Sequence, residues 1–137
     1  MDEAKRELVR AWLVKARNDL DTARQIAGLP DGHLDAAIYH CQQAAEKAVK
    51  GFLASQDHRL ERSHDVERLV MFAVGYEARF AAWVDTASLL TPYATAYRYP
   101  GESAVMEPGR QEFDEALAAW TGFLAFVWAI LPTEVHP

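Results

Sequence analysis

Residues 34–55 read Leu34-Asp35-Ala36-Ala37-Ile38-Tyr39-His40-Cys41-Gln42-Gln43-Ala44-Ala45-Glu46-Lys47-Ala48-Val49-Lys50-Gly51-Phe52-Leu53-Ala54-Ser55. Leu34, Ala37/Ile38, Cys41, Ala44/Ala45, Ala48/Val49 and Phe52/Leu53 recur at spacings of three and four, the signature of one apolar helical face. The pattern is nearly heptad-like, and its alanines suit close helix packing. It predicts a helix from about Leu34 to Ser55. On a helical wheel His40, Gln43, Lys47 and Lys50 lie together, away from the apolar stripe. Gln43 and Lys47 are one turn apart, as are Glu46 and Lys50, with acid before base. Two readings of this polar face follow: a solvated surface laced with such pairs, or a phosphate or nucleotide site built by Lys47 and Lys50.

The same periodicity runs outward from this helix. Leu8, Trp12, Ala16, Leu20, Ala23 and Ala27 predict a first helix over Asp2–Ala27, stopped by Gly28 and Pro30. Ser63 is the expected N-cap of a short third helix, with Asp65 and Glu67 in its first turn, a stripe of Val66, Leu69/Val70 and Ala73, and Gly75 at its end. Trp83, Ala87, Leu90, Ala94 and Tyr97 predict a fourth helix over Ala78–Tyr97. Pro92 must kink it or open a new helix capped by Thr91. Phe113, Ala116/Leu117, Trp120, Phe123/Leu124, Val127 and Ile130/Leu131 predict a fifth over Gln111–Leu131. No stretch alternates as a strand does. The expected fold is one all-α domain over residues 1–137: an up-and-down antiparallel four-helix bundle with a short additional helix.

Composition narrows the function. The chain has 137 residues, 20 acidic and 14 basic side chains and a net charge of −6. That disfavours bulk nucleic-acid binding, which needs clustered Lys and Arg against phosphates. The deficit is uneven: residues 1–68 hold 11 basic and 12 acidic side chains, residues 69–137 hold 3 and 8. A local anionic ligand therefore stays open. Cys41 is the single cysteine, so neither an intramolecular disulfide nor a cysteine-rich metal site is expected. No apolar run follows the charged N-terminus, so no signal peptide is expected and the cytoplasm is the default compartment. The uncharged run Ala116–Leu131 has 16 residues, short of a bilayer span. Phe126 and Trp128 widen the apolar girth at its end, which predicts a homodimer or other partner contact there.

Some polar residues stand out individually. Asp19 projects onto the apolar side of the first helix, where a carboxylate needs a partner; Arg98 and Lys47 are the candidates. It reads mainly as a structural tie. Arg10, Arg17 and Arg24 repeat every seven residues as a basic edge. Arg98-Tyr99-Pro100-Gly101 forms a defined corner, because the residue before proline is pushed to extended geometry and the guanidinium offers a forked donor to carboxylate or phosphate. The five histidines show no metal-ligand spacing, and there is no phosphate loop or nucleophile elbow, so neither a metal nor a cofactor is expected.

The tract from Gln42 to Lys50 resembles the signature helix of HEPN domains. Ala16-Arg17-Asn18-Asp19-Leu20 with Ala23, Ser63-His64-Asp65-Val66 with Leu69, and Arg98-Tyr99-Pro100-Gly101 resemble further motifs of that family, in its order. The resemblance spans about residues 5–131. It implies a helical bundle, commonly dimeric, often paired with a minimal nucleotidyltransferase in a toxin–antitoxin module. Other members of the family are metal-independent ribonucleases that use an Arg followed after four to six residues by His, the His as acid/base and the Arg on the scissile phosphate. Here the eligible positions after Arg98 are Ser103, Ala104 and Val105, none of them His, and Arg110 is followed by none before His136. Arg59 and His64 are one literal match, in the loop before the third helix. The expectation is a non-nuclease module binding a nucleotide or small anion through Gln43, Lys47, Lys50, Arg98 and Tyr99. The alternative is a ribonuclease toxin using Arg59 and His64.

Overall fold

The computed structural model describes residues 1–101 and 107–137. Its long elements are α1 (Glu3–Ala27), α2 (Leu34–Ser55) and, later in the chain, α6 (Arg110–Ile130). Asp2 caps α1 by accepting from the Lys5 amide at 2.8 Å. At the other end, the Arg110 guanidinium donates to the Ala27 carbonyl at 2.7 Å, filling one of the acceptors a helix leaves open. The turn into α2 needs Gly32: a Cβ there would stand 1.8 Å from the Ile26 carbonyl oxygen. α2 then runs back along α1, as contacts from Lys5 to Asp57 (2.9 Å) and from Asp19 to Lys47 (2.6 Å) show. α6 is antiparallel to α1 as well, with Arg24 donating to Thr121 near one end and Arg10 to the Glu134 carbonyl at the other.

The buried stripe of α1 is Val9, Leu13, Ala16, Leu20, Ala23 and Ala27. It is turned one position from the expected stripe at its start. Leu8 is 49% exposed and Trp12 is half-buried, because Val9 and Leu13 face the core. In α2 burial extends far beyond the apolar face, to Gln42, Glu46 and Lys50. The two helices approach closely at an Ala-rich seam. A Cβ on Gly51 would lie 3.0 Å from that of Trp12.

The third helix, α3, covers Val66–Val74, and its cap is Asp65 rather than Ser63. The Asp65 carboxylate accepts from the Arg68 amide at 3.3 Å, while the Ser63 hydroxyl accepts from the Asp65 amide at 3.2 Å. The continuous fourth helix expected over Ala78–Tyr97 is replaced by three short pieces: a 3₁₀ segment (Ala78–Trp83), α4 (Val84–Leu90) and α5 (Tyr93–Ala96). Pro92 supplies the second break, since it has no amide to continue the ladder. The 3₁₀ geometry has its own consequence, because residues three apart eclipse. Phe80 and Trp83 thus fall on one edge and both meet α6.

Phe80 is fully buried, with its ring 4.6 Å from Phe52 and 4.9 Å from Phe126. The off-stripe Phe126, read as part of an outward-facing girth, is therefore half-covered from within by Phe80 and Trp83. The remaining apolar side of α6, around Ala125, Trp128 and Ala129, forms an open groove with Arg17, Leu20 and Arg24 of α1. α6 has 21 residues and is long and apolar enough to cross a membrane by length and composition. In this fold Phe113, Trp120, Phe123 and Val127 are buried in the bundle. Each such side chain contributes roughly 1.5–3 kcal/mol of burial free energy. A last 3₁₀ turn, Thr133–Val135, folds Val135 back into the core.

Cys41 lies in the middle of α2 with no exposure, and burial pushes its thiol from 9.0 up to about 12. An unfolded thiol ionises near 9, so folding holds a proton that the unfolded chain releases. This contribution to stability is complete below pH 9 and is lost as pH rises toward 12. The native protein at pH 8 should leave Cys41 unmodified by a thiol-specific disulfide reagent, with full labelling only in denaturant. Rapid labelling of the native state would contradict the packing described.

Candidate anion site

A cleft of about 590 Å³ opens between α2, the loop before α3, and the segment Thr91–Tyr99. α2 contributes Tyr39, Gln42 and Gln43, successive turns of one face. His64 and Asp65 come from the α3 cap, and Arg98 and Tyr99 from the corner after α5. The Arg98 guanidinium lies 4.5 Å from the centre of the Tyr39 ring and 5.5 Å from that of Tyr99. Ring quadrupoles attract a cation placed over them, so the two tyrosines hold this charge at the cleft. The neighbouring Tyr97 fixes the corner to α6 by donating to Glu112 at 2.5 Å. That hydrogen bond, and then burial, push its phenol up to about 12.

His64 reaches the cleft differently. Its Nδ1 lies 2.6 Å from the buried Glu46 carboxylate, yet 78% of its side chain is exposed. The buried acid orients the ring and leaves it open to a ligand. The other Glu46 oxygen is 3.8 Å from Lys50 Nζ. Lys50 itself is buried, with its ammonium 5.9 Å from the centre of the Trp12 indole. Lys50 therefore does not belong to an exposed polar face with His40, Gln43 and Lys47. It sits inside, where its charge neutralises that of Glu46.

Lys47 is committed as well. Its Nζ lies 2.6 Å from Asp19 Oδ2, and His40 Nδ1 lies 2.9 Å from Asp19 Oδ1. Asp19 thus finds one of its two candidate partners, Lys47, and adds His40; Arg98 stacks on Tyr39 instead. Of the five residues expected to hold an anion, Gln43, Arg98 and Tyr99 come together in the cleft, while Lys47 and Lys50 are drawn into ion pairs. The literal Arg59–His64 pair is split: Arg59 lines a separate cavity with His58, Arg62 and Phe72. Arg98 is the arginine that shares a cleft with His64. Ser103, Ala104 and Val105 lie outside the described residues.

Tyr39 and Gln42 are cleft residues beyond those singled out in the sequence, where Glu46 figures only as the helical partner of Lys50 and Thr91 only as a cap before Pro92. The signal for Gln42 was present, since Gln42, Glu46 and Lys50 recur every fourth residue and form one polar row along α2. Away from the cleft, His33, Asp35 and Glu107 bring ligating atoms within 4.8 Å of one another across the chain, in a way no local spacing announces. They are surface groups, and His33 and Glu107 approach to 3.4 Å as an exposed pair.

A helical bundle with a polar-lined α2 and an Arg-Tyr-Pro-Gly corner defines a class of small helical domain. The family model described as HEPN domain matches residues 9–130, and the chain belongs to that family. Among solved structures it is similar to TT1696 from Thermus thermophilus, with 29% identity and a TM-score of 0.79 over 91% of this chain and 99% of that one. It is also similar to ST0689, described as an archaeal HEPN homologue, with 28% identity and a TM-score of 0.65 over 87% and 93% of the two chains. No curated protein matches the sequence.

The Asp19 tie yields a measurable expectation. Asp19→Ala leaves Lys47 and His40 half-buried without their carboxylate and should cost about 1–3 kcal/mol in urea unfolding. Lys47→Met should cost less, because His40 still serves Asp19. Equal and negligible losses would show that solvent screens the tie.

Proposed function

We propose that this chain is a non-nuclease HEPN interaction module that binds a nucleotide or other small anion in the cleft beside Arg98. It pairs with a second copy of itself and partners a minimal nucleotidyltransferase in a toxin–antitoxin module. One observation carries the anion reading: Arg98 is stacked on Tyr39 at the mouth of a cleft that also holds Gln43, His64 and Tyr99. A preorganised guanidinium between aromatic planes suits a phosphate joined to a flat base, since Arg binds phosphate in a fork and rings stack bases. The nucleotidyltransferase partner and the module rest on the family resemblance. Self-association is supported by the groove between α1 and α6, where Ala125 and Ala129 are exposed beside Trp128.

A second reading, metal-independent RNA cleavage, is favoured by one fact. His64, oriented by the buried Glu46, lines the same cleft as Arg98, so an Arg and a His converge without the sequential motif. The acid/base and the phosphate-holding group would then come from different elements.

Calorimetry with ATP and AMP tests the binding reading. Arg98→Ala should weaken binding at least tenfold, while Lys50→Met should not weaken it if the protein remains folded. The absence of heat with either nucleotide on the unmodified protein would reject the nucleotide half. Incubating the same protein with RNA in chelator decides between the readings: intact RNA is expected, and cleavage lost in His64→Ala would favour the ribonuclease. Light scattering at micromolar concentration should return twice the monomer mass, and a monomer would remove the self-association component.

A further inference from the structure

We infer that Gln42 and Thr91 form a base-reading floor in this cleft, selecting an adenine nucleotide over a bare phosphate. The inference rests on the anion reading above and assigns the ligand's other end. Gln42 is only 3% exposed and its Nε2 has no hydrogen-bond partner among the described residues. Thr91 Oγ1 is likewise buried and unpartnered. Buried polar atoms are nearly always paired, so each exception calls for a cause. Among the described residues Trp12 Nε1 is a third such atom and lies elsewhere, whereas Gln42 and Thr91 both line this one cleft.

The local fold does not use either group. The Thr91 amide donates to the Ala87 carbonyl at 2.9 Å, so its backbone is satisfied while its hydroxyl is not. The turn after Pro92 is closed by Thr95, whose hydroxyl donates to the Pro92 carbonyl at 3.2 Å. Further along α2, Glu46 bonds His64 and balances the charge of Lys50 at 3.8 Å, and the polar row ends at Gln42 with its donor unused. The unmet capacity is therefore concentrated at the cleft end of the row.

The chemistry of the two groups specifies what would meet them. A glutamine amide offers a donor and an acceptor side by side, which matches the adjacent acceptor and donor on an adenine edge. A threonine hydroxyl can serve as either. Tyr99, 56% exposed, and the Arg98 plane supply flat faces for a ring. The volume, about 590 Å³, falls within the range of sites for organic ligands. An inorganic phosphate would engage Arg98 and leave the floor unpaired.

Titration calorimetry with AMP, UMP and pyrophosphate, joined to thermal melts without ligand, tests this on the full chain. Gln42→Met keeps the length and removes the amide; Thr91→Val keeps the shape and removes the hydroxyl. The unmodified protein should bind AMP more tightly than UMP or pyrophosphate. Each variant should lose about tenfold or more for AMP, keep its affinity for pyrophosphate, and melt no lower than the parent, because an unpaired buried group has been removed. Unchanged AMP affinity in both variants would overturn the inference. So would a lowered melting temperature with equal losses for AMP and pyrophosphate, the outcome of a structural role. If pyrophosphate binds and AMP binds no better, the base floor fails and the anion site stands. If neither binds, both fail. Should one variant not fold, the other carries the test unaided.

Discussion

The close approach of α1 and α2 governs the rest of the molecule. Ala16 and Ala23 on one helix and Ala37, Ala44, Ala45 and Ala48 on the other are buried, and Gly51 sits where any side chain would press on Trp12. Small residues let two backbones come near, and the nearer they come, the more of α2 is enclosed. With α3, α5 and α6 packed around it as well, α2 has little surface left. Its polar residues Gln42, Glu46 and Lys50 are consequently carried inside with the apolar face.

Charges brought indoors must meet partners or be neutralised. The fold answers with two groups of three. Asp19 of α1 meets Lys47 and His40 of α2, tying the closely packed helices at their polar edge. Glu46 meets Lys50 along the helix and His64 across it, which ties α2 to the start of α3. The second group also does something the first does not: it leaves an oriented, exposed imidazole at a cleft whose opposite wall is the Arg98 corner. The packing of the core and the chemistry of the cleft are thus one constraint seen from two sides.

Periodicity revealed the helices that pack as whole cylinders. α1, α2 and α6 have stripes long enough to fix their ends within a residue or two, and Gly28 and Gly75 stop α1 and α3 where the stop signals stand. The fourth side was harder to read for a physical reason. Trp83, Ala87 and Leu90 fit a helical period, but Pro92 and the 3₁₀ turn at Phe80 answer to the contact with α6, which no local spacing encodes. The site divides the same way. Asp19 declared itself as a carboxylate on an apolar face, and Lys47 was within reach on α2. Lys50 misled because a favourable acid-before-base pair looks the same on a wheel whether it faces water or the core. Thr91 was legible only as a cap before Pro92, a role its hydroxyl does not take, because Pro92 itself stands at the N-cap of α5.

The same pairing of charges bears on the proposal that this acidic chain takes a small anion rather than a long one. Most positive charge lies in the first half, yet much of it is already matched: Lys5 with Asp57, Arg24 with Asp21, Lys47 with Asp19, Lys50 with Glu46 and Arg68 with Glu61. The exposed pairs among these, Lys5–Asp57, Arg24–Asp21 and Arg68–Glu61, add little stability, but all five reduce the field that would draw a polyanion along the surface. Of the basic repeat, Arg10 and Arg24 donate to the Glu134 carbonyl and to Thr121, and Arg17 borders the open groove between α1 and α6. Arg98 is held by ring faces rather than by one of these carboxylates, and a quadrupole positions a charge without removing it. The proposed ligand needs only one guanidinium, whereas a strand needing a continuous basic track meets a surface on which much of the positive charge is already paired.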